Sequence, residues 1–362
     1  MTALFPPLSA EEALLCGLVA IPSVSGKERE AATWLVRQMR GLGLAAHVDA
    51  AGNAVGVLGT GRPQTVLLGH LDTVPGEIPV RVEGGVLYGR GAVDAKGALA
   101  AFVGAAARLA RRGDWRGQVV VVGCVEEEAP SSRGAHHAAG EYAPDFCIVG
   151  EPSDWRRVTL GYKGSLRLRA RLTVPGGHSA HPRQTAAEAL VAYWGRVEGW
   201  AAQLTGHEAR VFDQLQPTLL HLNSQSDGLH ETAVAELHLR LPPAHPPGPV
   251  LAELRALGAD FPSLSLEVLG ECPAFQTGRT SPLVRTFARA IRAQGEQPGL
   301  VLKTGTADLN VVGPVWGCPA VAYGPGDAAL DHTPHERLSL AEFGRAIDVL
   351  EAVLGELHRP GE

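Results

Sequence analysis

The sequence predicts an α/β protein in which a larger domain, built on a mainly parallel sheet covered by helices, is interrupted by a smaller α+β domain. Three observations predict it. Apolar runs such as Thr65-Val66-Leu67-Leu68-Gly69 and Gln118 to Cys124 flank an Ala-rich helical stretch, as strands buried on both faces do. From Gly164 the pattern switches to strict alternation, with Leu166, Leu168, Ala170, Leu172 and Val174 against Arg167, Arg169, Arg171 and Thr173, which makes a sheet with one wet face. After residue 275 helical and apolar-strand patterns resume and have to complete the first domain. The expected segments are 1–165, 166–275 and 276–362.

The elements follow in order. Ser9 and Glu12 have capping-box spacing, so a helix starts there and ends near Ala20, before Ile21-Pro22. A second helix covers Lys27 to about Arg40. Strands are expected at 45–48, 54–58, 65–69, 118–124 and 146–150, with a helix over 95–111. The insert reads strand 166–174, helix 185–204, strands 216–223 and 232–241, helix 246–257 and strand 264–268, the order of a split αβ sandwich. A helix over 281–293, an apolar strand within Val315–Tyr323 and a final helix 340–357 close the chain.

Composition narrows the function. Of 362 residues, 45% are hydrophobic and 19% charged, which suits a packed core and excludes disorder. A formal net charge of -6 disfavours nucleic-acid binding, which needs a basic face. Cys16, Cys124, Cys147, Cys272 and Cys318 form no CxxC pair and several lie in apolar runs, so they read as buried thiols. No apolar run spans a bilayer and the first residues do not resemble an export signal, so a cytoplasmic protein without a membrane is expected.

Chemistry concentrates at the ends of the predicted strands. Gly69-His70-Leu71-Asp72 follows the strand 65–69. Two residues apart in extended backbone, His70 and Asp72 point the same way, so His70 can bind a metal while Asp72 holds its other ring nitrogen. A glycine-rich bend, residues 89–97, delivers Asp94 to a helix start. Asp94 is there either a plain N-cap or a carboxylate shared by two cations. Glu126, Glu127 and Glu128 follow strand 118–124. Three adjacent carboxylates repel one another unless cations or solvent offset them. Glu151 follows strand 146–150, and His332 and His335 follow the apolar strand ending at Tyr323. Carboxylates and imidazoles without thiolates suit zinc, manganese or cobalt, and one glutamate has to stay unliganded to act as a base. Arg279, where the insert rejoins the larger domain, could clamp a substrate carboxylate with its guanidinium fork.

The segments GHLDTVPG, LYGRGAVDAKG, EEEAPSSRGA, GEPS, GGHSAHP and DHTPHE occur in this order and resemble the two-zinc M20 peptidases and deacylases. The resemblance implies a catalytic domain interrupted by a lid or dimerisation domain, two divalent ions per subunit (zinc, with cobalt as the other choice) and a homodimer. It implies that His70 and Glu151 hold one ion, Glu128 and His332 the other, and that Asp94 bridges them. Asp72 orients His70, Glu127 is the general base, and His178 stabilises the oxyanion. Asn223 and Arg279 would meet the substrate. The stretches KTGTADLN and AYGPGDAALDHTPHE are similar to members that release lysine or ornithine from the C-terminal glutamate side chain of a small acidic amino-group carrier protein, so that carrier is the implied partner. The chain departs from the family pattern at His335 and His238, each in a place that is often aspartate, and in the segment HLNSQSDG around Asn223.

Two other functions remain. One is a deacylase of acetylornithine, acetyllysine or succinyl-diaminopimelate, with the same chemistry and no docking protein. The other is a binding protein with a structural metal, against which the complete ligand set and the spare Glu127 argue. The carrier reading further expects a locally basic rim, from Arg156, Arg157, Arg167, Arg169 and Arg171.

Overall fold

The computed structural model describes residues 7–204 and 210–359. Residues 1–6, part of the start expected to carry no export signal, lie outside them. The chain divides into two compact units. The larger comprises Met1–Gly161, Thr277–Val301 and Ala307–Glu362, and the smaller Tyr162–Gln276 and Leu302–Thr306.

The larger unit opens with α1 (Ala10–Val19), whose capping box is complete: Glu12 N–H donates to Ser9 Oγ and Ser9 N–H to Glu12 Oε2. Next come α2 (Arg29–Gly41), β1 (Ala45–Val48), β2 (Ala54–Thr60), β3 (Gln64–His70), β4 (Arg81–Glu83), β5 (Val86–Tyr88), α3 (Lys96–Arg112), β6 (Gly117–Cys124), α4 (Arg133–Glu141), β7 (Phe146–Val149) and β8 (Arg157–Tyr162). The main sheet runs β1-β2-β6-β3-β7, continues through a late strand at Ala320–Ala322, and reaches β8. Its centre is parallel, β6 to β3 and β3 to β7, and its margins are antiparallel. Gly69 and Gly123 are neighbours in the β3–β6 register, and a Cβ on either would stand 3.3 or 3.0 Å from Leu99. That pair of bare positions lets α3 lie directly on the sheet. Phe102, Val103, Ala106 and Leu109 of α3 are fully buried, and each large apolar side chain so buried contributes about 1.5–3 kcal/mol.

The smaller unit holds β9 (Gly164–Pro175), α5 (Ala186–Leu204), β10 (Gln216–Ser226), β11 (His230–Leu241), α6 (Pro247–Leu257) and β12 (Leu264–Cys272). Its antiparallel sheet runs β10-β11-β9-β12, the split sandwich that the element order predicts. Leu166, Leu168, Ala170 and Leu172 of β9 pack with Leu237, Leu239 and Tyr193 in its core, the face that alternation assigns to them.

The chain closes with β13 (Phe275–Gln276), α7 (Pro282–Ala293), β14 (Gly299–Lys303), α8 (Leu309–Trp316), β15 (Ala320–Ala322), β16 (Arg337–Ser339) and α9 (Leu340–Leu357). The strand expected within Val315–Tyr323 is shorter than the apolar run. Val315 and Trp316 finish α8, which Gly317 stops at φ 61°, a left-handed cap that glycine adopts freely. Periodicity also missed the sheet β16-β5-β4, whose strands have only three residues each.

Candidate metal centre

Parallel register brings the candidate ligands to one edge. His70, the last residue of β3, stands beside Cys124, the last of β6, and Leu68 stands beside Val149 of β7. The chain therefore leaves these strands at one level and enters the glutamate triplet from β6 and Glu151 from β7. This is the carboxyl edge, where open α/β sheets collect ligands.

His70 is buried, with Nδ1 2.9 Å from the backbone carbonyl oxygen of Asp72. A carbonyl only accepts, so Nδ1 carries a proton, and Nε2 is the nitrogen that a metal would take in place of its proton. The Asp72 carboxylate, expected to make that contact, has its nearer oxygen 3.5 Å away. Its main work is different: Oδ1 accepts from Glu127 N–H and Oδ2 from Glu128 N–H, both at 3.0 Å, and Ser25 Oγ donates to Oδ2 at 2.7 Å. One buried carboxylate thus sets the backbone of both glutamates. Burial opposes ionisation of Asp72, but His70 first, then the hydrogen bonds from Ser25 and Glu128, hold it below the ordinary carboxylate range.

Asp94 stands in a loop tied down from both ends. Gly97 permits the first turn of α3 to close on it, since a Cβ there would fall 2.4 Å from the Ala92 carbonyl oxygen. Glu336, fully buried just before β16, accepts from Val93 N–H at 2.9 Å, Asp94 N–H at 3.1 Å and Arg90 Nη1 at 2.8 Å. Asp94 does not act as the plain helix cap: Ala95 occupies that position and the cap makes no side-chain hydrogen bond. One Asp94 oxygen lies 3.2 Å from His70 Nε2 and the other 3.1 Å from His332 Nε2. His332 Nε2 is also 2.9 Å from Glu128 Oε1. Ligand atoms of His70, Asp94 and Glu128 all fall within 4.8 Å of one another.

The charges are strongly coupled. Hydrogen bonds to Asp94 and Glu128 raise His332 to about 9 against the opposing effect of burial. Burial raises Glu127 well above the usual glutamate value, as do Glu151, Asp308 and Glu128, with partial relief from His70. Glu151 is thus close enough to Glu127 to repel it, although it lies outside the tightest cluster.

Sequence reasoning missed three residues here. Glu336 ends a noted motif, but its partners are 242 to 246 residues away. Lys96 is buried with Nζ donating to the Ile21 carbonyl at 2.7 Å, and burial pushes it down to about 8. Asp308, at the start of α8, does not cap that helix. Apart from the Cys124 thiol, a weak donor, its buried oxygens have no hydrogen-bond partner among the described residues, and burial raises it to about 7.

The remaining candidates lie elsewhere in the chain. His178 belongs to the exposed segment after β9, and Asn223 to the exposed strand β10 of the smaller unit. Arg279 is exposed in the larger unit. The expected basic rim is largely balanced. Arg156 pairs with Asp154, Arg167 with Glu236, and Arg169 with Glu236 and Glu267.

The donor set fits divalent cations. Imidazole nitrogen and carboxylate oxygen converge without a thiolate, and His70 Nε2 faces Asp94. Asp94, with an oxygen toward each imidazole, has the shape of a shared ligand.

Comparison with known proteins agrees with this chemistry. Peptidase family M20/M25/M40 matches residues 66–356. A Deinococcus radiodurans protein named [LysW]-lysine hydrolase is 45% identical over 360 residues, covering 97% of this chain and 98% of the relative. A [LysW]-lysine/[LysW]-ornithine hydrolase of Saccharolobus solfataricus is 28% identical over 349 residues, 95% of each chain. The fold is similar to that of the M20 family metallo-carboxypeptidase Sso-CP2 from Sulfolobus solfataricus, with a TM-score of 0.79, 19% identity, and 96% and 99% of the two chains covered. The matched span contains every residue of the cluster from His70 to His332, and the chain belongs to peptidase family M20/M25/M40.

Proposed function

We propose that this protein is a cytoplasmic, homodimeric amide hydrolase that releases lysine or ornithine from the C-terminal glutamate side chain of a small acidic amino-group carrier protein. The observation that carries the substrate is the 45% identity, across 97% of the chain, to the Deinococcus protein named [LysW]-lysine hydrolase. The site supports the chemistry. No helix among the described residues is long and apolar enough to cross a membrane.

His70 and Glu151 would hold one divalent ion and Glu128 and His332 the other, with Asp94 shared between them. Zinc is the first choice for such donors, and cobalt fits the same set. The ions, when bound, polarise the amide carbonyl and make a water acidic enough to attack. Glu127 removes that water's proton and returns it to the departing α-amine. Its backbone is fixed by Asp72, and its environment of other carboxylates favours holding a proton. Asp72 also fixes the amide of Glu128. His178 donates to the oxyanion of the tetrahedral species. Arg279 and Asn223 read the amino acid, Arg279 through its carboxylate.

A second reading has a specific observation in its favour. Arg156, Arg167 and Arg169 are already paired with acids, so the basic rim that an acidic carrier would need is weaker than the arginine count implies. A deacylase of small acylated amino acids needs no such rim. Rates on carrier-linked lysine, acetyllysine, acetylornithine and succinyl-diaminopimelate decide between them. The carrier conjugate is expected to have the highest kcat/KM. Efficient cleavage of a free acyl amino acid with an inert conjugate would overturn the substrate and leave the hydrolase standing.

A further inference from the structure

The segment that carries His178 is shaped by contacts wholly within the smaller unit. Ala180 N–H donates to His178 Nδ1 at 3.1 Å. Nδ1 is therefore the acceptor, and in the neutral ring the proton sits on Nε2. His181 N–H donates to the His178 carbonyl at 3.0 Å and closes the turn. The root of the segment is anchored by Gly176 N–H to the Leu229 carbonyl at 2.7 Å.

Arg183 then reaches back across this turn. Its guanidinium makes a two-pronged pair with Glu231 of β11, Nη1 to Oε2 at 3.0 Å and Nη2 to Oε1. Its stem runs against the residue before His178, for a Cβ on Gly177 would stand 3.3 Å from Arg183 Cδ and Nε. Glu231 also accepts from the amide of Ala186, the first residue of α5, and is neighbour to Val174 of β9 in the sheet. The pair therefore ties the His178 turn to β9, β11 and α5 together. An exposed ion pair between flexible side chains contributes little. This one is different in kind: the fork is bidentate, and Arg183 Nε is buried without a hydrogen-bond partner among the described residues.

We propose that Arg183 and Glu231 are positioning residues that lock the His178 turn, so that Nε2–H is presented as a ready-made donor. This rests on the oxyanion role assigned to His178 above. It adds that the turn whose Ala180 amide fixes the tautomer of that imidazole is held in place by a side-chain pair five and 53 residues away in the sequence.

The experiment uses the full-length, metal-loaded enzyme with acetyllysine and with carrier-linked lysine. Arg183→Gln and Glu231→Gln are expected to lower kcat by about 10- to 100-fold, the cost of roughly an ångström of misplacement, with KM within about twofold. The exchange Arg183→Glu with Glu231→Arg is expected to recover part of that loss. In a His178→Ala background, Arg183→Gln is expected to cost nothing further, because the residue it positions is gone. Nitrogen-15 spectra of labelled histidine give a readout apart from turnover: His178 is expected as the Nε2–H tautomer in the parent and as a mixture in Arg183→Gln. Arg183→Lys, which keeps the charge and loses the fork, serves if the Gln variants fold poorly. If His178→Ala abolishes activity while Arg183→Gln retains parental kcat and tautomer, the positioning role is wrong and the role of His178 stands. If His178→Ala is fully active, both fall.

Discussion

Asp72 Oδ1 accepts the backbone N–H of Glu127 at 3.0 Å, while its other oxygen accepts that of Glu128. The residue expected to orient a histidine thus holds the main chain of the proposed base and of a proposed metal ligand. Asp72→Asn exchanges one acceptor for a donor that faces N–H groups. We expect kcat and metal affinity to fall together by ~10- to 100-fold, as for other outer partners of metal sites. Kinetics with metal analysis check this, and unchanged metal affinity with parental kcat would contradict it.

Glu127 is the member of the triplet proposed to stay free of metal. Glu127→Gln keeps its shape and the hydrogen bond from its backbone N–H to Asp72 but cannot take a proton. The expected loss in kcat is at least ~10²-fold with full metal content. Near-parental turnover would sink the assignment.

Cation binding is expected to release protons. Asp94 and Glu128 hold His332 protonated up to about 9, whereas a metal takes only the neutral ring. Affinity for zinc should therefore rise with pH through the neutral range and flatten above about 9. Titration calorimetry in buffers of different ionisation enthalpy measures the released protons. A pH-independent affinity would exclude His332 as a ligand.

His358 links the two ends of the larger unit. It is fully buried, with Nδ1 2.8 Å from the Arg116 carbonyl and Nε2 2.9 Å from Thr65 Oγ1. Burial lowers its pKa, so the unfolded chain binds a proton that the folded one resists. Stability from this residue is present above the unfolded value of about 6.5 and is lost as pH falls through it toward the folded pKa. His358→Leu should cost about 1–3 kcal/mol at pH 8 by stranding its partners, and should flatten the acid dependence of Tm. An unaltered acid slope would refute the link.

The proposed homodimer has a natural seam. Strand β10 lies at the edge of its sheet, is exposed along most of its length, and has no charged residue between Gln216 and Ser226. Leu220 and Leu222 are exposed on it. The opposite edge, β12, is protected by Glu267, Glu271 and a bulge. An unguarded edge invites a second copy. Leu222→Lys should convert the dimer to monomer in sedimentation equilibrium, and a dimer that withstands it would place the seam elsewhere.

The ligand edge was legible because parallel strands end in register: apolar runs ending at Gly69, Cys124 and Gly150 announce where His70, the glutamate triplet and Glu151 emerge. Glu336 was not legible, since its role exists only through partners more than 240 residues away. Asp308 misleads in another way. An aspartate before a helix reads as a cap, and only the packed structure reveals that it turns from the helix toward Cys124. The three-residue strands β4, β5 and β16 are too short for any period to register.

The hold of Glu336 on the Asp94 loop has a consequence for biosynthesis. A ribosome that has released the first 300 residues has delivered His70, Asp94, Glu128 and Glu151, yet neither His332 nor the clamp on Asp94. If the centre is built as proposed, the unfinished chain offers carboxylates for loose cation capture but lacks one proposed ligand and the clamp on the proposed shared one, and a product truncated before residue 332 is expected to bind divalent cations only weakly.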